Sequence, residues 1–164
     1  MKRKGKLIFV CGKMAAGKST LSKELSGRED AVLLVLDDFL ERLYPGQVVD
    51  VASFVTYSTR IKDALAPHVC SLLSMGISVV LDFPGNTRKQ RAWFRQLCEQ
   101  AGAEHELHFI DASNDVCKRQ LRERSKDLPP GTTWTTDGEF DAITAYFEPP
   151  SADEDFNVVD HERA

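Results

Sequence analysis

Residues 12 to 19 read Gly-Lys-Met-Ala-Ala-Gly-Lys-Ser and fit the pattern G-x-x-x-x-G-K-[ST], the phosphate-binding P-loop. Each fixed position has a physical job. Gly12 and Gly17 permit backbone angles that a Cβ would hinder. The backbone N–H groups of Lys13, Met14, Ala15 and Ala16 can then curl around an anionic phosphate. Lys18 places a compact positive charge on the β- and γ-phosphates. The Ser19 hydroxyl is a ligand for Mg²⁺ bridging those phosphates, with Thr20 following on the helix. That helix starts here and points its positive dipole end at the same anion.

Three carboxylates and a group of arginines are the next residues able to do chemistry. Asp37 and Asp38 close an apolar run, and a phosphoryl acceptor needs a positioned proton acceptor of this kind. Adjacent strand residues face opposite ways, so one of the pair aims at the site, and Asp37 is the first choice with Asp38 second. Helix capping in the following loop is the alternative for both. Asp82 ends another apolar run, as a Walker B Asp does, and suits Mg²⁺ binding directly or through water; contact with the acceptor is its second reading. The densest basic stretch, Lys118 to Lys126, carries Arg119, Arg122 and Arg124 and runs toward Pro129-Pro130-Gly131. A helix end leading into such a loop suits a mobile lid, about residues 119–133, whose cations cover the transferring oxygens. The Arg88-Lys89-Gln90-Arg91 cluster reads as a solvated helix start.

These residues must be carried by regular elements, and the chain alternates apolar runs with helical patterns. Strands are expected at Lys6–Cys11, Ala31–Leu36, Ile77–Leu81, Glu104–Ile110 and Phe156–Val159. Helices are expected over Gly17–Ser26, over Val51–Met75 with Pro67 as a kink or break, over Thr87–Gln100 with Thr87 as N-cap and Gly102 as stop, after the cap Ser113, and over Glu139–Tyr146. Strands alternating with helices specify an α/β fold, a parallel sheet with helices on both faces. In such sheets function collects at the carboxyl ends of the strands. Here those ends hold the P-loop, Asp37 with Asp38, Asp82 and Asp111, the last read as a turn residue.

Composition narrows the setting. A length of 164 residues implies one domain, and 42% hydrophobic residues supply a core. The formal net charge of -4 argues against a polynucleotide substrate. No apolar run reaches transmembrane length, and the one after Met1-Lys2-Arg3-Lys4 is too short for a signal segment, so a cytoplasmic protein is expected. Cys11, Cys70, Cys98 and Cys117 form no C-x-x-C pair and fit buried apolar roles in a reducing compartment. His105 and His108, three apart on a strand, face opposite sides.

Together the P-loop, the Asp37-Asp38 strand end, Val79-Val80-Leu81-Asp82 with Asn86 and Arg91 after it, and the Arg-rich stretch resemble small P-loop kinases. Within that class the chain is similar to the predicted ATP-binding kinases of the AAA type related to polynucleotide kinase, zeta toxin and chloramphenicol phosphotransferase. The resemblance implies a five-stranded parallel sheet, ATP with Mg²⁺, and transfer of the γ-phosphate to a hydroxyl, with Asp37 as the activating carboxylate. Relatives often carry Arg three residues after the first Asp; here that place is Leu40, and the nearest arginine is Arg42. They also often follow the third-strand Asp with a small residue and Asn, whereas Phe83-Pro84-Gly85-Asn86 stands here. Asp38, Arg42 and Phe83 therefore mark an altered acceptor side, with Phe39, Phe83 or Trp134 as candidate pocket walls. A small-molecule acceptor is the expected partner. The competing readings are a nucleotide-binding switch ATPase and a polynucleotide 5′-hydroxyl kinase.

Overall fold

The computed structural model describes residues 3–128 and 135–163. The strands are β1 (Leu7–Gly12), β2 (Val32–Val35), β3 (Val79–Asp82), β4 (His105–Ala112) and β5 (Val158–Arg163). The helices are α1 (Lys18–Arg28), α2 (Leu36–Leu43), α3 (Val51–Ser74), α4 (Arg88–Ala101), α5 (Asn114–Ser125) and α6 (Asp137–Thr144), with a 3₁₀ turn at Ala152–Glu154. The sheet has the order β2-β3-β1-β4-β5, and every pairing is parallel. This is the α/β architecture expected from the alternating pattern.

β1 lies at the centre, and all six of its residues are buried, as a strand covered on both faces must be. Its alternation sorts the core into two layers. Leu7, Phe9 and Cys11 face the side of α3 and α4, packing with Ile61, Val69, Leu73, Phe94 and Leu97. Ile8 and Val10 face the other side, with Leu21 and Leu25 of α1, Val116 and Cys117 of α5, and Phe140 of α6. Cys11, Cys98 and Cys117 are buried free thiols, and Cys70 is half-buried. The strand alternation also separates His105, stacked on Phe9, from His108, which meets Glu106 and His161.

Caps set the helix starts. Thr87 accepts from the Gln90 N–H at 3.1 Å and Ser113 from the Val116 N–H at 3.2 Å, both as expected. Asp50 and Ser53 form a reciprocal capping box at the head of α3. Gly102 ends α4 in the left-handed region with φ 59°. Two expectations need correction. Pro67 does not break α3, which runs unbroken for 24 residues; both Pro67 and Asp63 four residues earlier are exposed, so water can reach the carbonyl that proline leaves unbonded. β2 stops at Val35, so Asp37 and Asp38 stand in the first turn of α2. Leu36 and Leu40, one helical turn apart and both buried, give this segment its apolar face, and two carboxylates complement the helix N-terminus.

Candidate active site

The P-loop spans the gap from β1 to α1, and its backbone is the curled one that the motif requires. Gly17, the N-cap of α1, has φ 106°, and Ala15 also lies in the left-handed region with φ 61°. Left-handed residues set among right-handed ones turn successive N–H groups inward to form an anion nest. Gly12 serves a different need from the one expected. It closes β1, and a Cβ there would stand 3.2 Å from the Ile110 carbonyl oxygen and 3.4 Å from the Ala16 Cβ. Its role is close packing rather than a positive φ. The Lys13 side chain turns away from the loop, and its Nζ donates to the Ala112 carbonyl at 3.2 Å.

Registry brings the acidic residues to this loop. Val35 lies beside Asp82 across β2 and β3, and Phe9 beside Leu81 across β1 and β3. The start of α2, the end of β3 and the P-loop are therefore neighbours. The Ser19 hydroxyl donates to Asp82 Oδ2 at 3.2 Å. Burial pushes the Lys18 ammonium below its ordinary value, opposed by the carboxylates Asp82 and Asp37. Cys11 also lies close to Lys18, but burial raises its thiol to about 11, so it is neutral at pH 7. Burial raises the Asp82 carboxyl above the usual range; Ser19 and Lys18 oppose that shift, while Asp37 and Asp38 add to it. Asp37 thus acts on both Lys18 and Asp82 from an exposed position in the first turn of α2. Ser19 and Asp82 offer two hard oxygens beside a phosphate cradle, a donor set that fits Mg²⁺ held mainly by phosphates and water.

The other expected residues are placed less uniformly. Arg124 is exposed in the last turn of α5, and its charge acts on the Cys117 thiol, as those of Lys13 and Lys18 do. Arg122 is held by Asp137 at 2.9 Å, and Arg119 is exposed. The continuation of the expected lid from Pro129, and Trp134, lie outside the described residues. On the acceptor side a cleft of about 510 Å³ opens beside Asp37, lined among others by Leu40, Glu41, Tyr44, Val48 and Phe54. Asp38 and Arg42 do not line it. Arg42 lies about 140° around the helix from Asp37, five residues on at 100° each. Phe83 is no pocket wall: it is 2% exposed and stacks on Trp93 in the core, ring centres 5.3 Å apart. Phe39 likewise packs against the core.

Three contributors are assigned no site role by the sequence, although Asn86 and Arg91 belong to the motifs that carry the resemblance. Asn86 Oδ1 accepts the Gly12 N–H at 3.1 Å and so pins the entrance of the P-loop. Arg91, expected in solvent, is completely buried; it binds Glu154 at 2.8 Å and the carbonyls of Gly85 at 2.9 Å and Glu148 at 2.8 Å. That corrects the reading of a solvated helix start for Arg91 alone, since Arg88 and Lys89 are exposed, and the missed signal was the acidic Asp153-Glu154 pair that receives Arg88 and Arg91. Arg163, at the end of β5, brings its guanidinium carbon 3.6 Å from where a Cβ on Gly17 would lie. No local pattern announces that approach.

A central P-loop, a parallel sheet in the order β2-β3-β1-β4-β5 and a carboxylate rim define the P-loop kinase class of nucleotide-binding folds. The model of the AAA domain family AAA_33 matches residues 7–150, and the chain belongs to that family. Solved structures of like fold include a protein of Chloroflexus aurantiacus j-10-fl described as a candidate kinase, with TM-score 0.73, 20% identity, and 97% of this chain and 88% of that one covered. A gluconokinase from Sinorhizobium meliloti 1021 aligns with TM-score 0.63 and 15% identity over 100% of this chain and 85% of that one. The APS kinase CysC of Mycobacterium tuberculosis, solved with AMPPNP and APS, aligns with TM-score 0.62 and 17% identity over 98% and 91%. At these identities the likeness is one of fold. No curated protein matches the chain in sequence.

Proposed function

We propose that this protein is an ATP- and Mg²⁺-dependent phosphotransferase that moves the γ-phosphate to a hydroxyl of a small-molecule acceptor. The observation that carries the reading is the position of Asp37: its charge acts on Lys18 and Asp82, and it also lines a cleft bounded by Leu40, Glu41, Tyr44 and Phe54. A carboxylate there can accept the proton of an acceptor hydroxyl as that oxygen attacks phosphorus. The residues 12–20, with Lys18 at the β- and γ-oxygens, hold and orient the triphosphate. Ser19 and Asp82 would hold Mg²⁺, which neutralises charge on the phosphate oxygens. Arg124, with Arg119 and Arg122 on the same helix, supplies cations to the transferring group.

A small acceptor is favoured over a polynucleotide end by the lining of the Asp37 cleft. Among the described residues its charged members are Asp37 and Glu41, with no lysine or arginine, and the rest of its wall includes Leu40, Tyr44, Val48 and Phe54. Such a wall repels a chain of phosphates and suits a compact organic ligand. The test is transfer of labelled phosphate from ATP to nucleosides, sugars, antibiotics and oligonucleotide ends, with wild type and Asp37→Asn. The variant should bind the nucleotide as wild type does and lose transfer by about 10²-fold or more, the range of general base catalysis. Undiminished transfer by Asp37→Asn would remove Asp37 from its role. Nucleotide binding without transfer to any acceptor would favour the switch ATPase.

A further inference from the structure

A second cavity, of about 300 Å³, adjoins the Asp37 cleft. Phe54 lines both, and Leu36, which lines the second, immediately precedes Asp37. Its polar wall consists of Ser58, Thr59 and Lys62 from α3 and Thr87, Lys89 and Gln90 around the start of α4. Among the described residues lysine supplies its only charges, and no carboxylate lines it. Ser58 is 5% exposed, yet its Oγ has no hydrogen-bond partner among the described residues. A buried hydroxyl without a partner is costly, and in a native fold it calls for an explanation such as a bound group. Lys62 is half-buried and pairs with no carboxylate among the described residues; its Nζ lies 5.2 Å from the centre of the Trp93 ring. Burial pushes its ammonium below the ordinary value, with no anion to oppose that shift. Gln90 Oε1 accepts from the Asn86 N–H at 2.9 Å, which leaves the side-chain amide N–H groups free to donate. Every polar side chain in this wall can donate a hydrogen bond, and Lys62 and Lys89 are cationic.

We propose that this cavity binds an anionic group, carboxylate or phosphate/sulfate, carried by the acceptor at the end remote from the reacting hydroxyl. Lys62 and Lys89 supply the charge, and Ser58 supplies the buried hydrogen bond. The proposal rests on the kinase reading, in that the hydroxyl of the same molecule then lies at Asp37. Phe54 and Lys62, eight residues apart on α3, are separated by about 12 Å along the helix axis. The acceptor is therefore a small hydroxy acid or a phosphorylated or sulfated alcohol of about that reach. Its apolar midsection would lie on Leu36, Phe54 and Pro84. The hydrogen bonds from Asn86 to Gln90 and from Gly12 to Asn86 tie this wall to the P-loop, so an anion held here is in fixed register with the nucleotide.

Trp93 beside Lys62 is a built-in reporter. In a Trp134→Phe background with the P-loop filled by a non-hydrolysable ATP analogue and Mg²⁺, Trp93 emission is followed during titration at constant ionic strength. Sodium sulfate, sodium acetate and neutral glycerol are the probes. The expected result is a saturable change with sulfate or acetate and none with glycerol, and the better of the two anions assigns the class. Lys62→Met and Ser58→Ala should each weaken that response at least tenfold, while Asp37→Asn should leave it in place. A linear response, or one that survives Lys62→Met in a protein with unchanged circular dichroism, overturns the proposal. Saturable anion binding without phosphate transfer to any hydroxyl compound would instead defeat the kinase reading and leave the anion site standing. Transfer whose acceptor KM is unmoved by Lys62→Met would defeat the site and leave the kinase reading.

Discussion

The guanidinium of Arg91 and the carboxylate of Glu154 meet at 2.8 Å with Arg91 wholly buried, joining the first turn of α4 to the segment just before β5. The same guanidinium holds the Gly85 and Glu148 carbonyls, and the Glu148 N–H donates to the Asn86 carbonyl at 2.8 Å. Arg91 thereby fixes the loop whose Asn86 side chain pins Gly12. Removing one partner of a buried pair strands the other charge, at about 3–5 kcal/mol. Arg91→Ala should lower unfolding stability by that order in a denaturant titration. Arg91→Lys should not restore it, because an ammonium cannot serve carboxylate and carbonyls at once. The surviving folded fraction should also bind nucleotide more weakly as Asn86 loses its support.

Ser19 and Asp82 stand 3.2 Å apart at the P-loop. If they hold Mg²⁺, Asp82→Asn should raise the Mg²⁺ concentration needed for half-maximal nucleotide binding by about 10-fold, the lower end of what losing a supporting ligand costs. Metal-free nucleotide binding should be unchanged or slightly stronger, since a negative charge near the phosphates is gone. A Mg²⁺ titration followed by calorimetry separates these, and an unaltered Mg²⁺ requirement would dismiss Asp82 as a metal residue.

Gly17 tests the nest itself. At φ 106° an alanine is strained whatever the space around it, although its Cβ would meet the Arg163 guanidinium only at ordinary contact distance, 3.6 Å. Such strain costs about 1–3 kcal/mol. Gly17→Ala should lower both thermal stability and nucleotide affinity. Arg163→Ala, which removes a cation next to the loop without straining it, should lower affinity while leaving the melting temperature nearly unchanged.

The β4–β5 edge makes stability depend on pH. Burial, then His108 and the arginines nearby, push His161 below its ordinary value, and burial with Arg95 does the same to His105. His161 Nε2 shares a 2.9 Å hydrogen bond with His108 Nδ1, which requires one ring nitrogen without a proton. An unfolded histidine titrates near about 6.5 and takes up protons that the folded chain refuses. Stability is therefore full above about pH 6.5 and declines as the pH falls below it toward the lowered folded values. Urea midpoints at pH 7.5 and 5.5 should show the loss, and His161→Asn should flatten the difference.

Much of this protein is written locally. The P-loop is eight consecutive residues whose backbone needs and donors are set within one turn, so Gly17, Lys18 and Ser19 could be assigned from spacing alone. Short apolar runs marked all five strands and helical spacing marked the longer helices, because burial in a two-faced sheet or along a helix stripe depends on neighbours a few residues away. Thr87, Ser113 and Gly102 act over three or four residues and were equally plain. The acidic pair at 37 and 38 was found but placed on a strand, because the apolar run cannot reveal that Leu36 and Leu40 share a helix face until α2 packs. Tertiary structure decided what depends on residues far apart in sequence. It set Asp82 beside Ser19, turned Phe83 into the core, buried Arg91 on a carboxylate 63 residues away, and brought Arg163 to Gly17. A side chain's type states which partner it needs; only the order of strands in the sheet determines which partner is within reach.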